Sequence, residues 1–94
     1  MRLQLVVNPT AGGGRAMKLL PQVERVLEAQ DLVITPTRSL EHADELVASA
    51  VADDRLVVAM GGDGLVGRVA GAVAELGGLM AVVPGGRGND FARV

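Results

Sequence analysis

Three clusters of glycine, each following a short apolar run, constrain this chain more than any other feature. The runs lie at 3–7, 55–60 and 79–83. The clusters are Gly12, Gly13 and Gly14; Gly61, Gly62, Gly64 and Gly67; and Gly85, Gly86 and Gly88. Low-complexity sequence would scatter its glycines, so these act as punctuation between regular elements. The apolar runs read as strands, joined by a fourth at 32–35. Leu19, Leu20, Val23, Val26 and Leu27 fall at helical spacing, which predicts a helix over roughly 15–30; Pro21 either starts its regular part or kinks it. Leu40, Ala43, Leu46, Val47, Ala50 and Val51 predict a second helix capped by Ser39, and Leu65, Val66, Val69, Val73 and Leu76 a third from Gly64. Asn89 and Asp90 open a fourth. Alternating strands and helices with near-continuous Val/Leu strands predict an α/β fold, a doubly wound parallel sheet with helices on both faces.

Composition removes several function classes. Of 94 residues 49% are hydrophobic and 21% charged, so a core is affordable in one small domain. A single Phe, with no Tyr or Trp, leaves no platform for stacking bases, and a formal charge of −2 supplies no basic surplus; no nucleic-acid partner is expected. Cysteine is absent, which excludes disulfides and thiolate metal sites. Glu41, Asp44 and Glu45 read as the charged face of a helix, so no protein metal cluster is expected. His42, the only histidine, reads as a solvated helix residue; Met17, Met60 and Met80 read as packing. No apolar run reaches the roughly 18–20 residues of a membrane span, and 3–7 is cut off by Asn8-Pro9.

In a parallel sheet all strand carboxyl ends lie on one edge, so the three glycine loops converge there. Loops that open helices present backbone N–H groups to anions, and glycine lets a phosphate approach the main chain. The pattern therefore predicts a phosphate site. It is not a Walker loop, because no Gly-Lys pair occurs. Gly62-x-Gly64-x-x-Gly67 matches a dinucleotide fingerprint by letter, yet the next strand is followed by Pro84 and no acid until Asp90.

Three segments resemble the nucleotide-site motifs of diacylglycerol-kinase-type lipid kinases: VVNPTAGGGRA at 6–16, MGGDGLVGRV at 60–69 and VPGGRGNDFARV at 83–94. The family's usual forms are NPxSG, GGDGT-x-NEV and P-x-GTGNDFAR. The resemblance spans the whole chain and implies a Rossmann-like domain of the type found at the amino end of NAD kinases and diacylglycerol kinases. It implies that residues 1–94 are the amino-terminal, ATP-binding part of such a catalytic domain, with a second, mostly β domain absent. It implies ATP and Mg²⁺ as cofactors. Implied nucleotide-binding positions are Asn8, Pro9, Thr10, Ala11 and Gly12 in the first loop and Thr37 after the second strand. Gly61, Gly62, Asp63, Gly64, Leu65, Val66 and Gly67 follow in the central motif, and Arg87, Gly88 and Asn89 in the third. Four departures stand out. Ala11, Leu65 and Arg87 replace hydroxyl residues, and Gly67-Arg68 replaces an Asn-Glu pair. Arg68 and Arg87 add positive charge that could meet phosphates.

Asp63 is the expected catalytic carboxylate, acting through Mg²⁺ or by orienting the triphosphate; the plainer alternative is a cap for the third helix. Asn89 and Asp90 carry the same alternative, and Asn8 either ends the first strand or bonds a base or ribose. The expected function is an ATP-dependent lipid kinase that phosphorylates a lipid hydroxyl, diacylglycerol or a similar acceptor, with the lipid bound only when the second domain is present and the isolated chain inactive. Alternatives are an NAD-kinase-like or sphingoid-base-kinase-like enzyme, or a non-catalytic nucleotide-binding module. A cytoplasmic protein, peripheral at the membrane in its full length, is expected. An open sheet edge with uncovered Leu65, Val66, Val69 and Val73 predicts a homo-oligomer.

Overall fold

Leu3, Leu5, Val6 and Val7 are apolar on both faces of one extended segment, and only a central strand covered on both sides can bury them together. The structure, a computed structural model that describes residues 1–84, places them so. Strand β1 (Arg2–Val7) is followed by a 3-10 turn (Ala11–Gly13), helix α1 (Arg15–Leu27), β2 (Asp31–Pro36), α2 (Leu40–Ala52), β3 (Leu56–Gly61), α3 (Asp63–Leu76) and β4 (Met80–Pro84). The strands form one parallel sheet in the order β2-β1-β3-β4. This is the expected α/β architecture. Strand ends differ from the prediction by one residue because Arg2, Asp31, Pro36 and Gly61 join the ladder through their backbones. The helix expected at Asn89 and Asp90 lies outside the described residues.

Two cores back onto the sheet. Leu3, Leu5, Val7, Val58 and Met60 meet Ala16 and Leu20 of α1 on one face. Val6, Val57 and Ala59 meet Ala43, Val47 and Ala50 of α2 and Leu65, Val69 and Val73 of α3 on the other. Chain direction explains the split. The sheet grows from β1 to β2 one way, then from β3 to β4 the other way, and a constant crossover hand puts the two sets of helices on opposite faces. Gln4 is the one buried polar side chain of the described core; its amide donates to Thr35 Oγ1 at 3.0 Å and to the Leu5 carbonyl at 3.1 Å.

Three expectations need correction. The helix α1 does not start its regular part at Pro21; it begins at Arg15 and runs through it. Pro21 lies on the exposed side, so the acceptor it leaves unfilled, the Met17 carbonyl, is on a face that reaches water. Met17 is correspondingly exposed, whereas Met60 is fully buried. Leu65, Val69 and Val73 are not uncovered. The small residues Ala43, Val47 and Ala50 let α2 lie close enough to close over them, and Val66 packs at the margin.

The amino-terminal rim is tied by charge. Arg55 donates to the carbonyls of Leu3 and Asp31 and to the carboxylate of Asp53, which also receives Arg2 at 2.9 Å. Hydrogen bonds from Arg55 and then Arg2 hold the Asp53 carboxyl below its ordinary value. The folded state therefore binds that proton more weakly than the unfolded chain. The contribution is present above the ordinary value of 3.8 and is lost as pH falls through the lower folded value. Denaturant unfolding of Asp53→Asn beside the parent should show a gap at pH 7 that closes on acidification; a gap independent of pH would refute the pairing.

Candidate functional site

The functional rim is built where β1 and β3 end side by side and the chain turns away to opposite faces, the switch point at which open α/β sheets receive ligands. The Asn8 N–H donates to the Met60 carbonyl at 3.0 Å, so the first loop is anchored to β3. Its Oδ1 accepts from the Thr10 N–H at 3.0 Å and the Thr10 hydroxyl at 2.9 Å, and its carbonyl accepts from the Ala11 N–H. Asn8 thus ends β1 and shapes the loop with one side-chain oxygen. Gly12, Gly13 and Gly14 follow with φ of 60°, 68° and 96°, a left-handed run that side chains would strain. Ala11 is buried in the α1-side core, so its methyl packs and only its backbone faces the loop.

The central motif meets this loop closely. A Cβ at Gly61 would lie 2.9 Å from Leu65 Cδ2 and 3.2 Å from Asn8 Cβ, and glycine is what permits the approach. Gly62 caps α3 without a side chain, and Asp63 is the first helical residue. Asp63 therefore does not cap the helix in the way sequence alone left open. It is exposed, and its carboxylate has no hydrogen-bond or ion-pair partner among the described residues. Beside it the N–H groups of 63–65 lack intrahelical acceptors, as the first turn of any helix does.

Asn8, Pro9, Thr10, Thr37 and Leu65 line one cavity of about 270 Å³ with Arg38, Ser39 and Leu40. Thr37 is held there by its N–H, which donates to the Val7 carbonyl at 2.8 Å. Leu65 is 3% exposed, serving the α2–α3 core and the cavity wall together. Val66 and Gly67 are not brought to this cavity. Val66 packs against the α2–α3 core, and Gly67 lines a separate groove with Asp44, Arg68 and Gly71. Arg68 is engaged by Asp44, Nε to Oδ1 at 2.9 Å and Nη2 to Oδ2 at 2.7 Å, which joins α3 to α2 and raises the guanidinium's pKa while lowering the carboxyl's. Larger hollows exist, one of about 420 Å³ at the amino-terminal rim, but they lie away from the switch point. The third loop, with Arg87, Gly88 and Asn89, lies outside the described residues.

Sequence reasoning missed Arg38 and Leu40 as cavity walls and the role of His42. Ser39 Oγ accepts from the His42 N–H at 3.0 Å, and His42 Nδ1 accepts from the Arg38 N–H at 3.0 Å. His42 is thus half-buried in a reciprocal cap that braces the β2–α2 turn, rather than solvated. The Ser-x-x-His spacing was the available signal, since a side chain at the third helical position can reach back to the turn.

As for a metal, no group of three or more His, Cys, Asp or Glu able to hold an ion occurs among the described residues. A lone exposed carboxylate beside free amides suits an Mg²⁺ carried mainly by phosphate oxygens and water, as nucleotide-bound Mg²⁺ is.

Fold and rim together define a doubly wound α/β domain whose candidate site lies at the carboxyl ends of its parallel strands. The chain belongs to the diacylglycerol kinase catalytic domain family, whose model matches residues 2–94. Membership makes it part of a lipid-kinase family that uses ATP. Among solved structures it is similar to a diacylglycerol kinase from Bacillus anthracis str. Sterne, at 32% identity and a TM-score of 0.78 over 98% of this chain and 35% of that one. Two other structures from that organism, provisionally described as diacylglycerol kinases, match at 32% identity with TM-scores of 0.77 and 0.79, again over 98% of this chain and 34% and 33% of theirs. The chain therefore spans about a third of the length of these relatives. Comparison with curated proteins finds no match. No helix among the described residues is long and apolar enough to cross a membrane.

Proposed function

We propose that residues 1–94 are the nucleotide-binding portion of an ATP-dependent lipid kinase that phosphorylates diacylglycerol or a similar lipid alcohol. The observation that carries this reading is the exposed Asp63 carboxylate at the head of α3, unpartnered among the described residues, between Gly61, which closely approaches Asn8, and Leu65, which lines the Thr37 cavity. The first-turn amides of α3 and the first loop bind and orient the triphosphate. Asp63 holds its charge where the γ-phosphoryl group must be aligned; with the nucleotide's phosphates it would hold Mg²⁺, which would supply charge neutralisation there. In the reaction the β–γ bridging P–O bond breaks and ADP leaves, while the lipid oxygen forms a new bond to phosphorus. Its proton passes to a base contributed with the lipid groove by a second, mostly β portion of the protein. The work is positioning and charge stabilisation, which a rim of fixed amides supplies. We place the protein in the cytoplasm, peripheral at the membrane where its acceptor lies.

Calorimetric titration with MgATP tests the nucleotide reading, and a labelled-ATP assay with diacylglycerol vesicles tests the acceptor. Heat of binding with no phosphorylation by residues 1–94 alone, and phosphorylation by the complete protein, are the expected results. No heat from the complete protein would end the kinase reading. Binding without turnover on any lipid alcohol would leave a nucleotide module instead.

We also propose that residues 1–94 self-associate through β4, an outer strand of the described sheet on which Val82 is 44% exposed beside Leu79 at 76%. Sedimentation should show a species heavier than the 9.6 kDa chain, and Val82→Lys, which puts charge on that edge, should return the monomer. A monomeric parent would refute it.

A further inference from the structure

The cavity between the first loop and the β2–α2 turn carries one charged side chain among its described lining residues, Arg38, and no carboxylate. Elsewhere on the described surface, Arg2 and Arg55 pair with carboxylates at the amino-terminal rim and Arg68 pairs with Asp44. Arg38 has no such pair among the described residues, although its neighbour Ser39 caps α2. Its backbone is fixed at both ends: Thr37 is bonded to the end of β1, and the Arg38 N–H is bonded to His42 Nδ1 at 3.0 Å. A side chain projecting from so constrained a turn loses less freedom on binding than one from a loose loop. The remaining walls divide by chemistry, with Pro9, Leu40 and Leu65 apolar and Asn8, Thr10, Thr37 and Ser39 polar. A nucleotide phosphate that enters such a cavity meets a single guanidinium and no carboxylate among the described lining residues.

We infer that Arg38 is a further nucleotide-binding residue, a charged contact to a phosphate group of the nucleotide, with His42 positioning it through the backbone. This rests on the nucleotide reading above. It adds a cation to the phosphate site from the β2–α2 turn, which shares the cavity with Leu65 of α3. The guanidinium fork matches a phosphate's paired oxygens, and one such contact is worth about tenfold or more in affinity.

The test uses the complete protein and three probes, ATP, AMP and adenosine, titrated by calorimetry against the parent, Arg38→Ala and Arg38→Lys. Arg38→Ala should weaken ATP by roughly tenfold or more and leave adenosine unchanged, while Arg38→Lys recovers part of the loss. The dependence of ATP affinity on salt should also flatten in Arg38→Ala, because a phosphate contact is screened. An adenosine loss equal to the ATP loss would overturn the proposal by placing the guanidinium on the base or ribose. Unchanged ATP binding in Arg38→Ala would overturn it while the nucleotide reading stands. No binding of any probe by the parent would overturn both.

Discussion

Asp63→Asn in the complete protein should lower turnover at least about a hundredfold, the scale on which removing one preorganised electrostatic group acts, while its thermal unfolding stays close to the parent's. The expectation separates chemistry from folding because of where Asp63 sits. It is the first residue of α3, exposed, and without a described partner, so no packed contact is lost on substitution. What stability it gives comes from a negative charge at a helix amino terminus, about 0.3–1 kcal/mol, and the isosteric amide keeps the shape. Its contribution to catalysis, in contrast, depends on the charge itself, since an amide neither balances Mg²⁺ nor aligns the triphosphate in the same way. A steady-state assay and a melting curve on the same preparation decide the matter. Turnover within a few-fold of the parent would remove Asp63 from the mechanism, and a large loss of stability would make it a structural residue.

Sequence and structure agree where the physics is local or strongly periodic. The central strands could be read because Leu3–Val7 and the run through Met60 are apolar on both faces, a pattern that few other environments accept. The first two glycine loops could be read because left-handed backbone at Gly12–Gly14 and the close approach at Gly61 both require the missing side chain. What covers a helix could not be read in this way. Periodicity put Leu65, Val69 and Val73 on one face, but the closing surface is a stripe of Ala43, Val47 and Ala50 some twenty residues earlier, and only the sheet order sets the two side by side. Arg68 shows the same limit for charge. Its sign was plain, yet Asp44 reaches it across a helix pair and takes it out of the phosphate account. Leu40 fitted the apolar stripe of α2, but it occupies the first turn, above the sheet's carboxyl rim, and so it walls the cavity at 44% exposure instead of entering the core.

Leu5→Ala should cost about 3–5 kcal/mol of stability, the upper range for a buried leucine whose surroundings cannot collapse. Leu5 has no exposed surface; it is flanked in the sheet by Ile34 of β2 and Val58 of β3 and roofed by α1 through Ala16 and Leu20. Strands on both sides hold its backbone in place, so the space it leaves stays open. A chain of this length has roughly 5–14 kcal/mol in all, so the loss takes a large share of it. Val26→Ala on α1 is the control: Val26 is 80% exposed and its truncation should change stability by less than about 0.5 kcal/mol. The consequence reaches the site, because β1 carries Asn8 three residues beyond Leu5 and Asn8 is what ties the first loop to Met60. Near the midpoint of the variant's unfolding, nucleotide should therefore raise its melting temperature through linkage, since the rim binds only when β1 is in place. Equal losses for Leu5→Ala and Val26→Ala in denaturant unfolding would mean that β1 is not sandwiched between two helical layers, and the switch point on which the site depends would go with it.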